Sequence, residues 1–154
     1  MDATKTIEKL NECLRHEWTG VAQYSQAGFV VSGLWREVYS DMFYDSAKES
    51  FGHAKQMGEK IVAMGGVPTV ERNSIRQTND LDEMLRHALE FEQAAVGLYT
   101  EAIGLAEEGE EDRALVVFLE DILKEEQEGV DAILRIVREH TSAAKTGKSA
   151  TKAG

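Results

Sequence analysis

Apolar residues recur at intervals of three and four positions along most of this chain, a spacing that places them on one face of a helix. Glycines, a single proline and short polar runs interrupt the pattern. The sequence therefore predicts an all-α chain of four long helices, over about Thr4–Val31, Leu34–Met64, Leu81–Ala106 and Arg113–His140.

The lengths of the three connections predict how these helices are arranged. The first and third are short and favour antiparallel neighbours, whereas the middle one, from Gly65 to Asn79, has about fifteen residues and contains Pro68. Extended at ~3.3 Å per residue it spans ~50 Å, and a helix of thirty residues is ~45 Å long. The middle connection can therefore cross the whole bundle. We expect a four-helix bundle of two antiparallel hairpins joined by a long crossover.

Three glutamates occupy positions of the apolar stripes where a leucine would be ordinary. Glu17, Glu92 and Glu126 lie in line with apolar neighbours, which are Leu14 and Val21, Leu89 and Val96, and Ile122 and Val130. A single such glutamate is compatible with a misphased helix or with pairing to an arginine. Three converging carboxylates would repel one another unless a cation compensated them, because removing each charge from water is costly. The pattern favours a divalent metal.

Composition limits the kind of site. The 154 residues fit one domain, and Cys13 is the single cysteine, so any metal would be held by oxygen and imidazole ligands. No run is apolar enough to span a membrane, and the N-terminus lacks the apolar region of a secretory signal, so we expect no membrane contact and a cytoplasmic location.

The formal net charge of −11 is unevenly distributed. Residues 141–154 carry Lys145, Lys148 and Lys152 without an acid and lack apolar periodicity. We predict a folded domain over residues 1–140 and a disordered Lys/Ala/Ser/Thr tail over 141–154. An acidic body repels nucleic acid, and three lysines make only a weak electrostatic contact, so we do not expect DNA binding.

His53 is the candidate imidazole, because it lies beside the apolar stripe of the second helix, which includes Ser50, Ala54 and Met57. Alone, a histidine near a core face is more often satisfied by a carbonyl group than by a metal. Opposite three buried glutamates, the metal becomes the better interpretation.

Four segments together resemble the ferritin-like superfamily, and among its members the bacterioferritins, over about residues 4–140. They are LNECLRHEWTGVAQY (10–24), HAKQMGEKIVAMGGVP (53–68), EQAAVGLYTEAI (92–103) and ILKEEQEGVD (122–131). By this resemblance Glu17 is the terminal carboxylate of the first helix, His53 the imidazole, Glu92 the carboxylate of the third helix and Glu126 one that bridges two metals. Tyr24 matches a tyrosine near the dinuclear centre, although the position is equally typical of a core aromatic.

The chain departs from the bacterioferritin pattern at three positions. Ser50 stands where the family has the carboxylate of the second helix, and Glu49 reaches that position only from the edge of the helix, a reach that a local π-bulge would help. Gly129 replaces the histidine of the fourth helix, which implies a weaker second metal site. Phe51 replaces the haem-ligating methionine, so we expect no haem.

The resemblance implies that Fe(II) is oxidised by oxygen or peroxide at a di-iron site within each subunit, and that ferric mineral is stored in a homo-oligomeric cage. Mn(II) suits the same ligands. Two alternatives remain open. One is a peroxide-reducing di-metal enzyme of the rubrerythrin type, and the other is a catalytically silent shell or binding subunit, which Ser50 and Gly129 would explain.

Overall fold

The computed structural model of the chain describes residues 3–109 and 112–150, and in the last helix it describes side chains as far as Arg138. Within the described ranges the chain forms helices and no strand. The helices are α1 (Ala3–Val30), α2 (Arg36–Ala63), α3 (Leu81–Glu107) and α4 (Arg113–Ala150). The predicted all-α architecture is confirmed, and the first three helices lie within two residues of their predicted bounds.

The last helix differs from its prediction. α4 continues to Ala150, whereas we predicted an end near His140 and a disordered tail beyond it. Three alanines and two lysines among residues 141–150 favour helix, whereas the two serines, the two threonines and the glycine favour it less. The expectation of disorder therefore does not hold for residues 141–150, and residues 151–154 lie outside the described part. The division into a domain over 1–140 and a tail over 141–154 stays a prediction.

Contacts between the helices establish their directions. Residues early in one helix meet residues late in its neighbour, as expected for antiparallel packing. The pairs are Lys9 with Glu101 and Tyr24 with Glu92 for α1 and α3, Gly28 with Tyr44 for α1 and α2, and Lys60 with Phe118 and His53 with Glu126 for α2 and α4. Helices α2 and α3 consequently run in the same direction. The predicted pair of hairpins joined by a long crossover is confirmed.

The crossover begins at a well-formed helix stop. Gly65 has a φ of +84°, its N–H donates to Val62 O, and the N–H of Gly66 donates to Ile61 O, both at 2.9 Å. These two bonds form a Schellman motif, which favours glycine at the position of positive φ. At the other end Asp80 caps α3 by accepting a hydrogen bond from the N–H of Glu83.

Polar side chains of α1 hold the crossover along its length. Asn11 accepts from the N–H of Thr69 at 2.8 Å and donates to Val67 O at 3.1 Å, and Trp18 donates to Thr69 O at 2.9 Å. Further along, Thr19 and Gln23 accept hydrogen bonds from the N–H groups of Asn73 and Arg76. The crossover therefore follows α1 from one end of the bundle toward the other.

The interior consists of two apolar clusters with a polar layer between them. One cluster includes Leu10, Leu14, Met57, Ile61, Tyr99, Leu115 and Leu119, and the other includes Tyr24, Phe43, Leu85, Phe91 and Ile133. The buried polar layer contains Glu17, His53, Glu92 and Glu126. Of the helices described, none is both long enough and apolar enough to cross a membrane.

Candidate metal centre

Glu17, His53 and Glu126 converge in the polar layer from α1, α2 and α4. Each is at least 97% buried, and one potential ligand atom from each lies within 4.8 Å of those from the other two. The Nδ1 atom of His53 is 2.9 Å from Glu126 Oε1 and 3.5 Å from Glu17 Oε1. The three residues come together because each occupies the inward face of its helix, in line with apolar neighbours.

Tyr99 holds one oxygen of the Glu17 carboxylate. The Tyr99 hydroxyl donates to Glu17 Oε1 at 2.7 Å from α3. Among the described residues, Glu17 Oε2 has no hydrogen-bond partner although it is buried. An unpaired buried carboxylate oxygen is unfavourable, and coordination of a cation would satisfy it. The residues present therefore fit a divalent metal of the kind that binds carboxylate and imidazole.

Glu92 of α3 adds a third buried carboxylate beside Glu17 and Glu126. Tyr24 donates a hydrogen bond of 2.5 Å to Glu92 Oε1. Burial, followed by the neighbouring Glu126, raises the pKa of Glu92 to about 9, and burial is also the main reason why the pKa of Glu126 rises to about 7. Without a metal, Glu92 therefore remains protonated at neutral pH, as expected when acids share a dry site.

His53 also contacts the outer side of the site. Its Nε2 atom lies 2.6 Å from Glu125 Oε2, and Glu49, His53 and Glu125 form a second group with potential ligand atoms within 4.8 Å. Burial by itself lowers the pKa of His53, but hydrogen bonds with Glu126, Glu17 and Glu125 outweigh burial and raise the pKa to about 11. The imidazolium thus supplies the positive charge among these acids when no metal is bound.

Glu49 and Ser50 lie on different sides of α2. Ser50 is buried against Gly20 of α1, so the position three residues before His53 faces a neighbouring helix at close range. Glu49 is exposed at the outer side with Glu125, and α2 is α-helical throughout without a π-bulge. Burial nevertheless raises the pKa of Glu49, because its carboxyl group lies at the edge of the cleft described next. Glu49 therefore joins the outer group and not the group of Glu17 and Glu126.

A cleft of about 500 Å³ opens from the surface to Glu92. It lies between α2 and α4, and Tyr24 also lines it. Gly129 leaves room for it, since a Cβ atom at that position would lie 3.1 Å from Glu92 Oε2. The other lining residues are Met42, Ser46, Glu49, Glu125, Glu128, Ala132, Ile133 and Ile136.

Every candidate taken from the sequence lies at or beside this centre, but not with equal roles. Glu17, His53 and Glu126 form the inner group, Glu92 adjoins it with Tyr24, and Glu49 lies outside. Sequence reasoning did not single out Tyr99 or Glu125 as site residues. Tyr99 follows Glu92 by seven residues and therefore lies on the same face of α3, and this spacing would have identified Tyr99 as a site residue. Glu125 gave no such signal, because the apolar stripe of α4 places it off the inward face.

Comparisons with known proteins agree with the predicted resemblance. A ferritin family model, described as a ferritin-like domain, matches residues 7–141. A solved crystal structure of a ferritin-like, diiron-carboxylate protein from Bacillus anthracis str. Ames has 31% sequence identity to this chain and a TM-score of 0.85. The match covers 89% of this chain and 98% of the B. anthracis chain.

A second solved structure shows the same fold at lower identity. It is a dodecameric thioferritin, the bacterioferritin-related protein from Bacteroides fragilis. It has 22% sequence identity to this chain and a TM-score of 0.85, and the match covers 95% of this chain and 92% of the B. fragilis chain. The resemblance to the ferritin-like superfamily is thereby confirmed.

Proposed function

This chain belongs to the ferritin-like family, and we propose that it oxidises Fe(II) with oxygen or peroxide and stores the ferric product in a hollow homo-oligomer. The observation that carries the proposal is the buried group of Glu17, His53 and Glu126, in which one oxygen of Glu17 has no hydrogen-bond partner within the described part of the chain. Iron(II) is the substrate in this proposal, and Mn(II) is a second metal that the same ligands suit.

Glu17, His53 and Glu126 would hold the first ion, through the unpaired Glu17 oxygen, His53 Nδ1 and a Glu126 oxygen. Glu92 adjoins Glu126 and would share a second ion with it, and Glu49 would contribute only from the outer side. Two iron ions held together supply the electrons that reduce oxygen or peroxide. Phe51 offers no ligand atom for haem, so haem has no place in this proposal.

The residues around the ligands would keep them in position. Tyr99 and Tyr24 each engage one oxygen of a carboxylate, which fixes the orientation of Glu17 and Glu92 before a metal arrives. The apolar clusters on either side limit the access of water to the inner group. Such preorganisation favours binding, because the ligands need not be ordered again when the ion enters.

The storage part of the proposal concerns the assembly. The B. fragilis relative is described as dodecameric, and this chain exposes Phe29, Leu34, Trp35 and Val38 around the turn between α1 and α2. Exposed apolar side chains at this density are typical of a surface that is buried in an oligomer. An acidic chain with a net charge of −11 also attracts cations.

The direct test is the aerobic addition of Fe(II) to metal-free protein, followed by the ultraviolet absorbance of ferric iron. We expect oxidation faster than in buffer and a loss of more than about tenfold in Glu17→Gln, which keeps the shape of the ligand but removes its charge. Glu59→Gln, an exposed change on α2, is the matched control and should react like the parent. If absorbance grows no faster with the parent protein than in buffer, the proposed oxidation is wrong.

Storage is tested separately by the iron that stays with the protein. After excess Fe(II) and oxygen, gel filtration should recover ferric iron in the protein fraction far beyond two ions per chain. Rapid oxidation with no more than two ions retained would leave the oxidation standing and refute storage.

A further inference from the structure

The geometry points to neutral organic hydroperoxides as oxidants at this site, admitted through the cleft between α2 and α4. This inference rests on the proposed oxidation of Fe(II), and it specifies the class of peroxide that the site accepts. It is supported by the size of the cleft, by the apolar side chains that line it together with Glu92, and by the charge at its mouth.

The cleft is much larger than oxygen or hydrogen peroxide requires. Its volume is about 500 Å³. A water molecule takes ~30 Å³ of liquid volume, whereas pockets for organic ligands start at ~300 Å³. A molecule with several carbon atoms therefore fits into it.

The lining of the cleft carries both polar and apolar side chains. Tyr24 and Glu92 are buried, and Glu92 adjoins Glu126, one of the proposed metal ligands. Met42, Ala132, Ile133 and Ile136 offer an apolar surface. A hydroperoxide has matching parts, with a polar O–OH group at one end and a hydrocarbon group at the other. Its O–O bond would face Glu92 while the hydrocarbon lay against the apolar side chains.

Gly129 and the acids at the mouth narrow the choice of ligand. A side chain at position 129 would begin 3.1 Å from Glu92 Oε2, so glycine keeps the passage to Glu92 open. Glu49, Glu125 and Glu128 are exposed at the mouth, and they repel anions. The structure therefore favours neutral hydroperoxides over those that carry a carboxylate.

The reaction balances with Fe(II) as the reductant. The O–O bond of the hydroperoxide breaks, two Fe(II) ions each give one electron, and two protons are taken up. An alcohol and water leave, so that ROOH + 2 Fe(II) + 2 H⁺ gives ROH + H₂O + 2 Fe(III).

The kinetic test compares cumene hydroperoxide with hydrogen peroxide as oxidants of Fe(II) without oxygen. Ala132→Phe fills the apolar wall, and Ala63→Phe at the exposed end of α2 is the matched control. We expect the rate with cumene hydroperoxide, relative to that with hydrogen peroxide, to fall about tenfold or more in Ala132→Phe and to stay the same in Ala63→Phe. Circular dichroism checks the fold of both variants, and Ala132→Leu serves if the phenylalanine disturbs it.

A binding measurement tests the cleft without iron. Cumyl alcohol, the product, should show saturation-transfer NMR signals with the metal-free parent protein and with Ala63→Phe, and lose them with Ala132→Phe. Signals that persist in Ala132→Phe would overturn the assignment of the cleft.

The two proposals fail in different ways. If neither oxygen nor hydrogen peroxide oxidises Fe(II) faster than in buffer, the proposed function is wrong. If hydrogen peroxide does so but cumene hydroperoxide does not, or if Ala132→Phe leaves the ratio of rates unchanged, only the inference about organic hydroperoxides is wrong.

Discussion

Two buried carboxylates of the site are each held by a tyrosine from a facing helix. Tyr99 on α3 donates to Glu17 on α1, and Tyr24 on α1 donates to Glu92 on α3. The two hydrogen bonds cross between the same two helices in opposite directions. Each engages one oxygen, and for Glu17 the other oxygen is left without a hydrogen bond among the described residues. Both tyrosines are buried, and burial raises their pKa values, so they remain hydrogen-bond donors at any ordinary pH.

Tyr99→Phe tests this arrangement in the metal-free protein. The change removes the hydroxyl group that donates to Glu17 Oε1, so this buried carboxylate loses a hydrogen bond. We therefore expect the free energy of unfolding to fall by ~1–3 kcal/mol. Tyr44→Phe, which makes the same change away from the site, should alter stability by less than ~0.5 kcal/mol. Guanidinium denaturation measures both, and equal losses in the two variants would contradict a specific role for the Tyr99 hydroxyl.

The buried acids and His53 also couple stability to pH when no metal is bound. Glu92 has a pKa of about 9 in the folded chain against 4.5 ordinarily, and His53 has about 11 against 6.5. Between pH 6.5 and 9 the folded protein therefore holds protons that the unfolded chain releases, so stability falls as pH rises. His16 acts in the opposite direction, because burial lowers its pKa from 6.5 to about 4, but its effect is confined to lower pH.

We therefore expect the metal-free protein to lose stability between pH 6.5 and 9. Each of the two groups, Glu92 and His53, changes the free energy of unfolding by at most ~1.4 kcal/mol per pH unit. Glu92→Gln removes one of these groups while its amide oxygen still accepts a hydrogen bond from Tyr24, so its stability should depend less steeply on pH. Urea denaturation with a chelator present, at several pH values, measures the slope. A slope in Glu92→Gln as steep as that of the parent would show that Glu92 does not retain its proton.

At the scale of elements, helices and topology could be predicted because they depend on periodicity and chain length. The stripes through Glu17, Glu92 and Glu126 are regular enough to set the inward face of three helices, and the connection from Gly65 to Asn79 is long enough to cross the bundle. The end of α4 could not be predicted in this way. The apolar pattern stops near His140, whereas the helix continues to Ala150 without an apolar stripe that would indicate it.

The outer part of the site could not be predicted, because one residue along a helix is a rotation of about 100°. That rotation places Ser50 against α1 and Glu49 at the cleft, and it turns Glu125 toward the outer nitrogen of His53 while Glu126 meets the inner one. The apolar stripe predicts the inward face of a helix only to within about one residue. Which of two adjacent polar residues reaches a ligand position therefore depends on the packing of neighbouring helices.

Glycine gives a test at the start of the crossover. Gly65 has a positive φ, so Gly65→Ala should lower the free energy of unfolding by ~1 kcal/mol. At Gly97, in the interior of α3, an added Cβ would meet no atom within 4 Å from other parts of the described structure, and Gly97→Ala should stabilise the protein by ~0.5–1 kcal/mol. Thermal and denaturant unfolding compare the two variants. The same sign for both changes would refute the role of Gly65 in ending α2.

On the scale of the whole molecule, the described residues include nine large apolar side chains that are exposed. Four of them lie around the turn between α1 and α2, and three, Val62, Val67 and Val70, lie near the end of α2 and in the crossover. Leu34 is 90% exposed and Phe29, Trp35 and Val38 at least 60%, and all four fall within residues 29–38. The ring of Phe29 lies 6.0 Å from the ring of Tyr44, measured between their centroids. A turn of this kind could carry polar residues without loss to the monomer, and in the proposed assembly it would contact another copy of the chain.

Leu34→Asp should therefore impair assembly without unfolding the chain. The side chain is almost fully exposed, so the monomer loses little, whereas a charge buried in an interface without a partner costs several kcal/mol. Native mass spectrometry and sedimentation should show a shift from a large oligomer to small species, with helical circular dichroism unchanged.

Val117→Asp makes the same kind of change on α4, outside this turn, and should leave the oligomer intact. An unaltered oligomer in Leu34→Asp would exclude the turn from the interface. A small species that still oxidises Fe(II) would show that the proposed metal centre works within a single subunit, as we expect because Glu17, His53 and Glu126 converge from one chain.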